Sequence, residues 1–150
     1  MRPPMSHSWG NWTAPKRDTE FKTAQGKGVK GSTCLIQVCK TTGTGCFTKS
    51  LPVTAGHTYI MKVMAKHSVP GEKVTLSLNG QVREAYQGSL SAGATAKATG
   101  EWQELTLKLD IPAAGKWSKC DSVLVKLSGT GKNCTCLFDR FEMDEKELQK

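Results

Sequence analysis

Short stretches in which apolar and polar residues alternate recur along this chain from about residue 34 onward. Such a period of two is that of a strand with one buried face. No segment has an apolar stripe at helical spacing. The pattern therefore predicts an all-β fold, a β-sandwich or jelly roll of two antiparallel sheets. The predicted strands cover residues 34–39, 46–53, 57–66, 73–78, 81–86, 102–111, 121–127 and 135–141.

Turn signals between these stretches predict the connections. Asn79-Gly80 is the dipeptide preferred in a two-residue hairpin turn and lies between two alternating runs. Residues 88–100 are rich in Ser, Ala, Thr and Gly, which predicts a long flexible loop. Upstream of Cys34 the few large apolar residues predict one or two edge strands. The pattern predicts one domain over residues 1–143 and a polar tail or linker over residues 144–150.

Length and charge exclude several classes of protein. A chain of 150 residues suits one domain, and no run approaches the roughly 20 apolar residues of a membrane-spanning helix. The net charge is +8; residues 139–150 hold three basic and five acidic residues, so the first 138 hold +10. Nearly all of the positive charge is lysine, which lacks the forked geometry that reads bases and phosphates. We expect no nucleic-acid partner and no membrane partner.

Six cysteines, an even number, stand in this small basic domain. They predict disulfides and an oxidising, secreted or extracellular location, with buried thiols as the alternative. Zinc ligands usually come in Cys-x-x-Cys pairs, with two residues between the cysteines, and the sequence contains no such pair. Six cysteines allow 15 pairings, so the connectivity stays open. The start of the chain lacks the apolar run of a secretory signal, which favours a module cut from a larger protein.

Residues that would carry catalysis are sparse. His7 lies near the terminus, and His57 and His67 lie beside predicted turns, so each is expected at the surface. Acidic residues show no paired spacing, and the common nucleophile, phosphate-loop and zinc-protease motifs are absent. The sequence argues against an enzyme.

Aromatic residues in polar, loop-like segments are the candidate binding residues. Trp9, Trp12, Tyr86 and Trp117 have such surroundings. An aromatic side chain near water either closes an open end of the core or offers its face to a ligand, and the two alternatives stay open for each residue. Sugar rings suit such a face because their C–H groups form an apolar patch while their hydroxyls bind polar side chains. Trp102 begins a predicted strand, where a structural role is expected.

Four short motifs also follow one another in a recognisable order. Residues 45–59 hold a strand, a Pro-Val pair, a glycine turn and a tyrosine-containing strand; residues 100–107 open with Gly-Glu-Trp; Ile111-Pro112 ends that strand; and residues 137–141 read Leu-Phe-Asp-Arg-Phe. Over about residues 32–143 this series resembles the carbohydrate-binding modules of the family 4 and 9 group, which have a galactose-binding-domain-like jelly roll.

The resemblance implies a non-catalytic module that binds a polysaccharide, such as a β-glucan, a xylan or another plant or algal glycan. Such modules are appended to secreted glycoside hydrolases, so we expect a monomer or part of a multidomain enzyme. Many members hold a structural calcium, for which Asp139 is the candidate ligand, although Arg140 stands where the family motif has a second aspartate. Two alternatives stay open: a structural or cell-surface spacer without ligand, and a jelly-roll polysaccharide lyase that uses Lys and Tyr as base and acid.

Overall fold

The computed structural model describes residues 9–13, 19–40 and 45–147 of the chain. Two short 3-10 helices, Val29–Gly31 and Lys116–Lys119, are the helical elements of this part. No helix among the described residues has the length and apolar content to cross a membrane. His7 and residues 148–150 lie outside the described residues. The strands are β1 (Gly10–Trp12), β2 (Thr19–Ala24), β3 (Cys34–Cys39), β4 (Cys46–Pro52), β5 (His57–His67), β6 (Lys73–Val82), β7 (Ala85–Lys97), β8 (Gln103–Ile111), β9 (Ser122–Gly129) and β10 (Cys134–Glu147).

These strands form two five-stranded antiparallel sheets, which confirms the predicted all-β sandwich. The front sheet has the strand order β1-β4-β9-β6-β7, and the back sheet has the order β2-β3-β10-β5-β8. Strands β1 and β2 each lie at the edge of a sheet, as predicted for the region before Cys34. Because successive strands along the chain pass between the sheets, residues far apart in sequence meet on one face.

The core lies between the sheets and is built from the alternating residues. Val123, Val125 and Leu127 of β9 face inward from the front sheet with no exposed surface. A chain of edge-on aromatic contacts crosses the core, with ring centroids 5.0 Å apart for Phe21 and Phe47 and 6.2 Å apart for Phe47 and Phe138. Each such buried side chain contributes about 1.5–3 kcal/mol. The period of two thus sets which residues are buried.

The predicted hairpin turn at Asn79-Gly80 is wrong. Strand β6 runs through both residues to Val82, and the turn is formed by Arg83 and Glu84, whose φ angles are +51° and +68°. Positive φ at both central residues is the geometry of the tight turns that match strand twist. Asn79 and Gly80 instead mark a bulge in the pairing of β6 with β7. A Cβ on Gly80 would lie 2.6 Å from the sulfur of Cys120, so glycine is needed there for close packing.

The flexible loop predicted for residues 88–100 is also wrong, because most of this segment belongs to the edge strand β7. Ala92, Ala94 and Ala96 are partly buried against the core, while the residues between them face outward. Their small side chains suit the edge of the sandwich, where the two sheets leave little depth. A low β-propensity is overridden here by ladder pairing with β6.

The polar tail predicted for residues 144–150 begins too early. Strand β10 continues to Glu147 and pairs over residues 144–147 with the first residues of β5. Glu145 anchors this end: its Oε2 accepts a hydrogen bond of 2.8 Å from the Tyr59 hydroxyl and lies 2.8 Å from Nδ1 of His57. The sandwich therefore includes residues 144–147.

Candidate binding groove

A groove with a volume of about 700 Å³ crosses the outer face of the front sheet. Its floor comes from alternate residues of the inner strands, among them Thr48 on β4, Ser77 on β6 and Lys126 on β9. The register places these three residues in one row, since Lys126 is paired with both Thr48 and Ser77. Three floor residues, Thr48, Ser77 and Ser128, are small and carry hydroxyl groups, which leaves a depression that can form hydrogen bonds.

Trp12 forms one wall of the groove. It lies on the edge strand β1 opposite Cys46. With 58% of its surface exposed, it is more exposed than the other large hydrophobic residues of the described ranges. An indole in this position has one side against the sheet and the other open to solvent. It can therefore offer an apolar face to a ligand without any rearrangement of the core.

Tyr86 contributes from the opposite edge of the same sheet, on β7, and is 55% exposed. Its ring lies under the ammonium of Lys126, with the Nζ atom 5.1 Å from the ring centroid and 3.4 Å from the hydroxyl oxygen. A cation over the face of an aromatic ring is attracted by its quadrupole. The lysine therefore helps to fix the orientation of an exposed aromatic ring.

A second hollow, of about 600 Å³, lies further along the same outer face. It is lined by Gln81, whose Oε1 accepts hydrogen bonds of 3.1 Å from Ser50 and 3.0 Å from Ser122. Glu84 and Asp121 also line it, so this end of the face carries negative charge. The groove, which contains Lys126, and the hollow, which contains two carboxylates, together form a long depression on the outer face of the front sheet.

The structure does not bring Trp9 or Trp117 into this groove. Trp9 is partly buried and packs edge-on against Phe141 with a centroid distance of 5.4 Å, and the Lys49 ammonium lies 5.6 Å from its ring centroid. Trp117, on the 3-10 helix Lys116–Lys119, is partly buried against the core. Both tryptophans therefore close the sandwich. Of the four predicted ligand-binding residues, Trp12 and Tyr86 have the position that the role requires, and their role stays a prediction.

Asp139 is buried, and both oxygens of its carboxylate accept hydrogen bonds. Its Oδ2 accepts from the Val29 backbone N–H at 2.9 Å and from the Ser32 hydroxyl, and its Oδ1 accepts from the Arg140 backbone N–H at 2.7 Å. It lies at a bulge of β10, where Arg140 has a φ of +55°. The carboxylate thus holds the segment around Val29 onto the back sheet.

The calcium site for which Asp139 is the candidate ligand stays a prediction. Calcium takes six to eight oxygen ligands, usually with several carboxylates. Asp139 accepts hydrogen bonds from three donors, and in the described ranges it belongs to no group of three or more His, Cys, Asp or Glu side chains close enough to share an ion.

One group with metal-ligating side chains does occur at a buried end of the sandwich, where His67, Cys134 and Cys136 have ligand atoms within 4.8 Å of one another. His67 was expected at the surface; it is fully buried, because it faces inward opposite Cys136. Its Nδ1 accepts the Val69 N–H at 2.9 Å, and its Nε2 lies 2.7 Å from the Thr130 carbonyl oxygen. Both ring nitrogens have partners, so metal ligation through either nitrogen would cost one of these two hydrogen bonds.

The thiols at this end interact with one another. Cys39 lies opposite Cys134 in the ladder, and hydrogen bonds from Cys136, and less strongly from Cys134, lower the pKa of Cys39 to about 7. Burial raises the pKa of Cys134 to about 11, and the hydrogen bond with Cys39, together with burial, raises the pKa of Cys136. All six cysteines are buried free thiols in this structure, and the disulfide framework stays a prediction.

Solved structures with this architecture include several carbohydrate-binding modules. The CBM22-1–GH10 modules of the Clostridium thermocellum endo-1,4-β-D-xylanase 10B, complexed with xylohexaose, match with a TM-score of 0.70 and 19% identity over 91% of this chain and 26% of that one. The CBM22-1 xylan-binding domain of Paenibacillus barcinonensis Xyn10C matches with a TM-score of 0.70 and 13% identity over 99% of this chain and 92% of that one.

A third similar structure is TmCBM61 in complex with β-1,4-galactotriose, with a TM-score of 0.67 and 14% identity over 95% of this chain and 91% of that one. No protein-family model matches the chain, and no curated protein matches it significantly. The chain spans about a quarter of the xylanase chain that it matches. At these identities the likeness establishes the fold: this chain has the jelly-roll sandwich that these carbohydrate-binding modules share.

Proposed function

We propose that this protein is a non-catalytic carbohydrate-binding module that holds a polysaccharide in the groove of the front sheet. The observation that carries the proposal is the pair of exposed aromatic side chains, Trp12 and Tyr86, which come from opposite edge strands and line one groove. The backbones of these two strands are four strand spacings apart, about 19 Å across the sheet. Both rings extend from their edges into the groove, so one ligand in the groove can contact both of them.

The chemistry of the groove suits sugars. Exposed aromatic faces cover the apolar C–H surface of a ring, and the hydroxyls of Thr48, Ser77 and Ser128 on the floor can exchange hydrogen bonds with those of the ligand. Two of the similar structures hold oligosaccharides, a xylohexaose and a galactotriose. A spacer domain would have no use for two aromatic rings that are more than half exposed, which favours binding over a purely structural role.

By analogy with the xylanase, we propose that the chain acts outside the cell as a monomeric module of a larger enzyme that degrades polysaccharides. The module itself holds its ligand without cleaving it. Among the described residues that line the groove, Lys126 is the charged one, and no carboxylate pair faces it. Hydrolysis of a glycosidic bond by the usual route requires two carboxyl groups on either side of the bond.

A polysaccharide lyase remains the second candidate because of one observation, the 3.4 Å contact between the Lys126 ammonium and the Tyr86 hydroxyl. Such a pair could act as base and acid on an acidic sugar. Incubation with alginate or pectin, followed by ultraviolet absorbance of unsaturated products, tests this candidate. Absorbance that rises with the wild type and not with Tyr86→Phe would replace the non-catalytic proposal.

The binding proposal is tested by affinity gel electrophoresis and calorimetry against β-glucans, xylans, galactans and pectins. We expect the wild type to bind at least one of them, and the double variant Trp12→Ala/Tyr86→Ala to bind none. Val69→Ala is the matched control, since Val69 is also an exposed hydrophobic residue, 38% exposed, but does not line the groove. If the wild type binds nothing in the panel, or if the double variant binds as well as Val69→Ala, the proposal fails.

A further inference from the structure

Building on the proposed function, we infer that Lys126 makes the groove selective for a mostly neutral polysaccharide that carries isolated carboxylate groups, as uronic acid substituents do. Three features of the front sheet support this inference: the position of Lys126, the absence of a described carboxylate beside its ammonium, and the negative charge of the hollow further along the same face.

Lys126 lies in the middle of the binding surface. It is on β9, the central strand of the front sheet, and its neighbours in the row are the hydroxyl-bearing Thr48 and Ser77. The side chain is partly buried, and its ammonium extends over the ring of Tyr86. Any glycan that contacts Tyr86 from above must therefore pass close to this positive charge.

No described carboxylate neutralises this ammonium. Two ion pairs of the described ranges, Lys40 with Glu20 and His57 with Glu145, both lie away from the front sheet. The contacts of Lys126 are with the Tyr86 ring and hydroxyl, and its charge also acts on the nearby Cys46 thiol, whose pKa is raised by burial and lowered to a smaller extent by the lysine. All of these partners are neutral groups.

Covering an unpaired charge with a neutral ligand is unfavourable, because the charge loses water without gaining an opposite charge. A ligand carboxylate within reach of the ammonium replaces that lost hydration with a charge-assisted hydrogen bond. Electrostatic complementarity of this kind contributes to specificity more than to affinity. The groove should therefore distinguish an acidic sugar from a neutral one at this position.

The other end of the face restricts how much negative charge the ligand can carry. Glu84 and Asp121 line the second hollow. Both oxygens of the Asp121 carboxylate lie 3.2 Å from the Arg83 backbone N–H, which donates to them and orients the carboxylate toward this turn. A continuous polyuronate would place carboxylates beside these acidic groups and be repelled. A neutral backbone with spaced uronic acids can place one carboxylate near Lys126 and none in the hollow.

The test uses one polysaccharide in two forms: glucuronoxylan, and the same preparation after chemical reduction of its carboxyl groups to alcohols. Calorimetry at low and at high salt would be done with the wild type and with Lys126→Gln, Lys126→Arg and Lys108→Gln. Lys108 is an exposed lysine on the back sheet and serves as the control for a loss of net charge.

We expect the wild type to bind native glucuronoxylan about 5- to 10-fold more tightly than the reduced form at low salt. Lys126→Gln should bind both forms equally, while Lys126→Arg and Lys108→Gln keep the preference. High salt should shrink the preference, because exposed charges are screened. Polygalacturonate should bind the wild type more weakly than native glucuronoxylan does.

Three results would overturn the inference while leaving the proposed function intact: equal binding of the two forms by the wild type, a preference that survives in Lys126→Gln, or tighter binding of polygalacturonate. A fourth result, binding of a neutral glycan together with no binding of glucuronoxylan, would also overturn the inference and leave the proposed function intact. Failure of the wild type to bind any polysaccharide would instead overturn the proposed function, and the inference with it. Lys126→Arg guards against misfolding, since loss of preference in both Lys126 variants would also count against a role of the charge.

Discussion

Replacement of Trp12 by alanine is the sharpest test of the groove, because the structure separates its effect on binding from its effect on folding. Trp12 lies on an edge strand with 58% of its surface exposed. Removing the indole therefore leaves no cavity in the core. We expect a change of less than about 0.5 kcal/mol in the free energy of unfolding.

The loss of affinity follows from the exposed area. If a tryptophan side chain offers about 250 Å², the 58% exposed fraction is roughly 145 Å², of which a sugar ring stacked on one face covers about half. At about 25 cal/mol per Å², those ~70 Å² contribute about 1.8 kcal/mol. Such a loss raises the dissociation constant roughly 20-fold.

The assay is calorimetry with the best-binding polysaccharide of the panel, combined with urea denaturation of the same preparations. Trp9→Ala is the matched comparison, since Trp9 is packed against Phe141. That variant should lose about 2–3 kcal/mol of stability, somewhat below the range for a fully buried aromatic, and keep the affinity of its folded fraction. An unchanged affinity in Trp12→Ala would refute the assignment of the groove. So would weaker binding by Trp9→Ala at unchanged stability.

Three further predictions concern the sandwich itself. Burial raises the pKa of the Cys34 thiol from 9.0 to about 11, so the stability that depends on a neutral thiol is present below pH 9 and is lost between pH 9 and 11, as the unfolded chain ionises first. In urea denaturation, Cys34→Ala should reduce this alkaline loss of stability by on the order of 2 kcal/mol. Gly80→Ala should lower stability by about 1–3 kcal/mol because its Cβ would meet the Cys120 sulfur, and an unchanged denaturation midpoint would contradict this packing. Refolding with oxidised glutathione should join Cys39 to one of the two cysteines of β10 beside it, Cys134 or Cys136, with a mass lower by two hydrogens that Cys39→Ala abolishes and Cys34→Ala does not.

The geometry behind the pairing of Cys39 is set by the ladder. Cys39 lies directly opposite Cys134, and Cys136 lies two residues further along β10, on the diagonal. The hydrogen bond between Cys39 and Cys136 has a larger effect on the pKa of the Cys39 thiol than the one with Cys134. Both cysteines of β10 are therefore within reach of Cys39.

The strands could be predicted wherever the alternation of the sequence coincides with burial. In β8, the residues Leu105, Leu107, Leu109 and Ile111 are buried and those between them are exposed, as the period of two requires. The turn at Asn79-Gly80 could not be placed correctly, because the glycine there is required by the approach of Cys120, which lies between the 3-10 helix Lys116–Lys119 and strand β9. Local turn preference and tertiary packing favour the same residue, and sequence alone does not separate them.

The groove illustrates the same limit. Trp12 and Tyr86 are 74 positions apart, and the sheet order alone places them on opposite edges of one face. The sequence identified both as candidates from their polar surroundings. It assigned Trp9 and Trp117 to the same class, because the packing of Trp9 against Phe141 depends on where β10 ends in the sandwich. Exposure of an aromatic residue is a property of its three-dimensional neighbours.

Side-chain size explains why the front sheet, and not the back sheet, carries the groove. The outer face of the back sheet presents long side chains on adjacent strands, such as Lys62 and Met64 on β5 and Glu104 on β8, and the hollow among them measures only about 170 Å³. The corresponding residues of the front sheet are mostly short and hydroxylated, and the space above them is about 700 Å³. On the back sheet, the stems of long charged side chains cover the outer face and their charged groups reach the solvent. On the front sheet, short side chains leave the outer face open between two aromatic edges, so the same architecture yields a filled surface on one side and an open groove on the other.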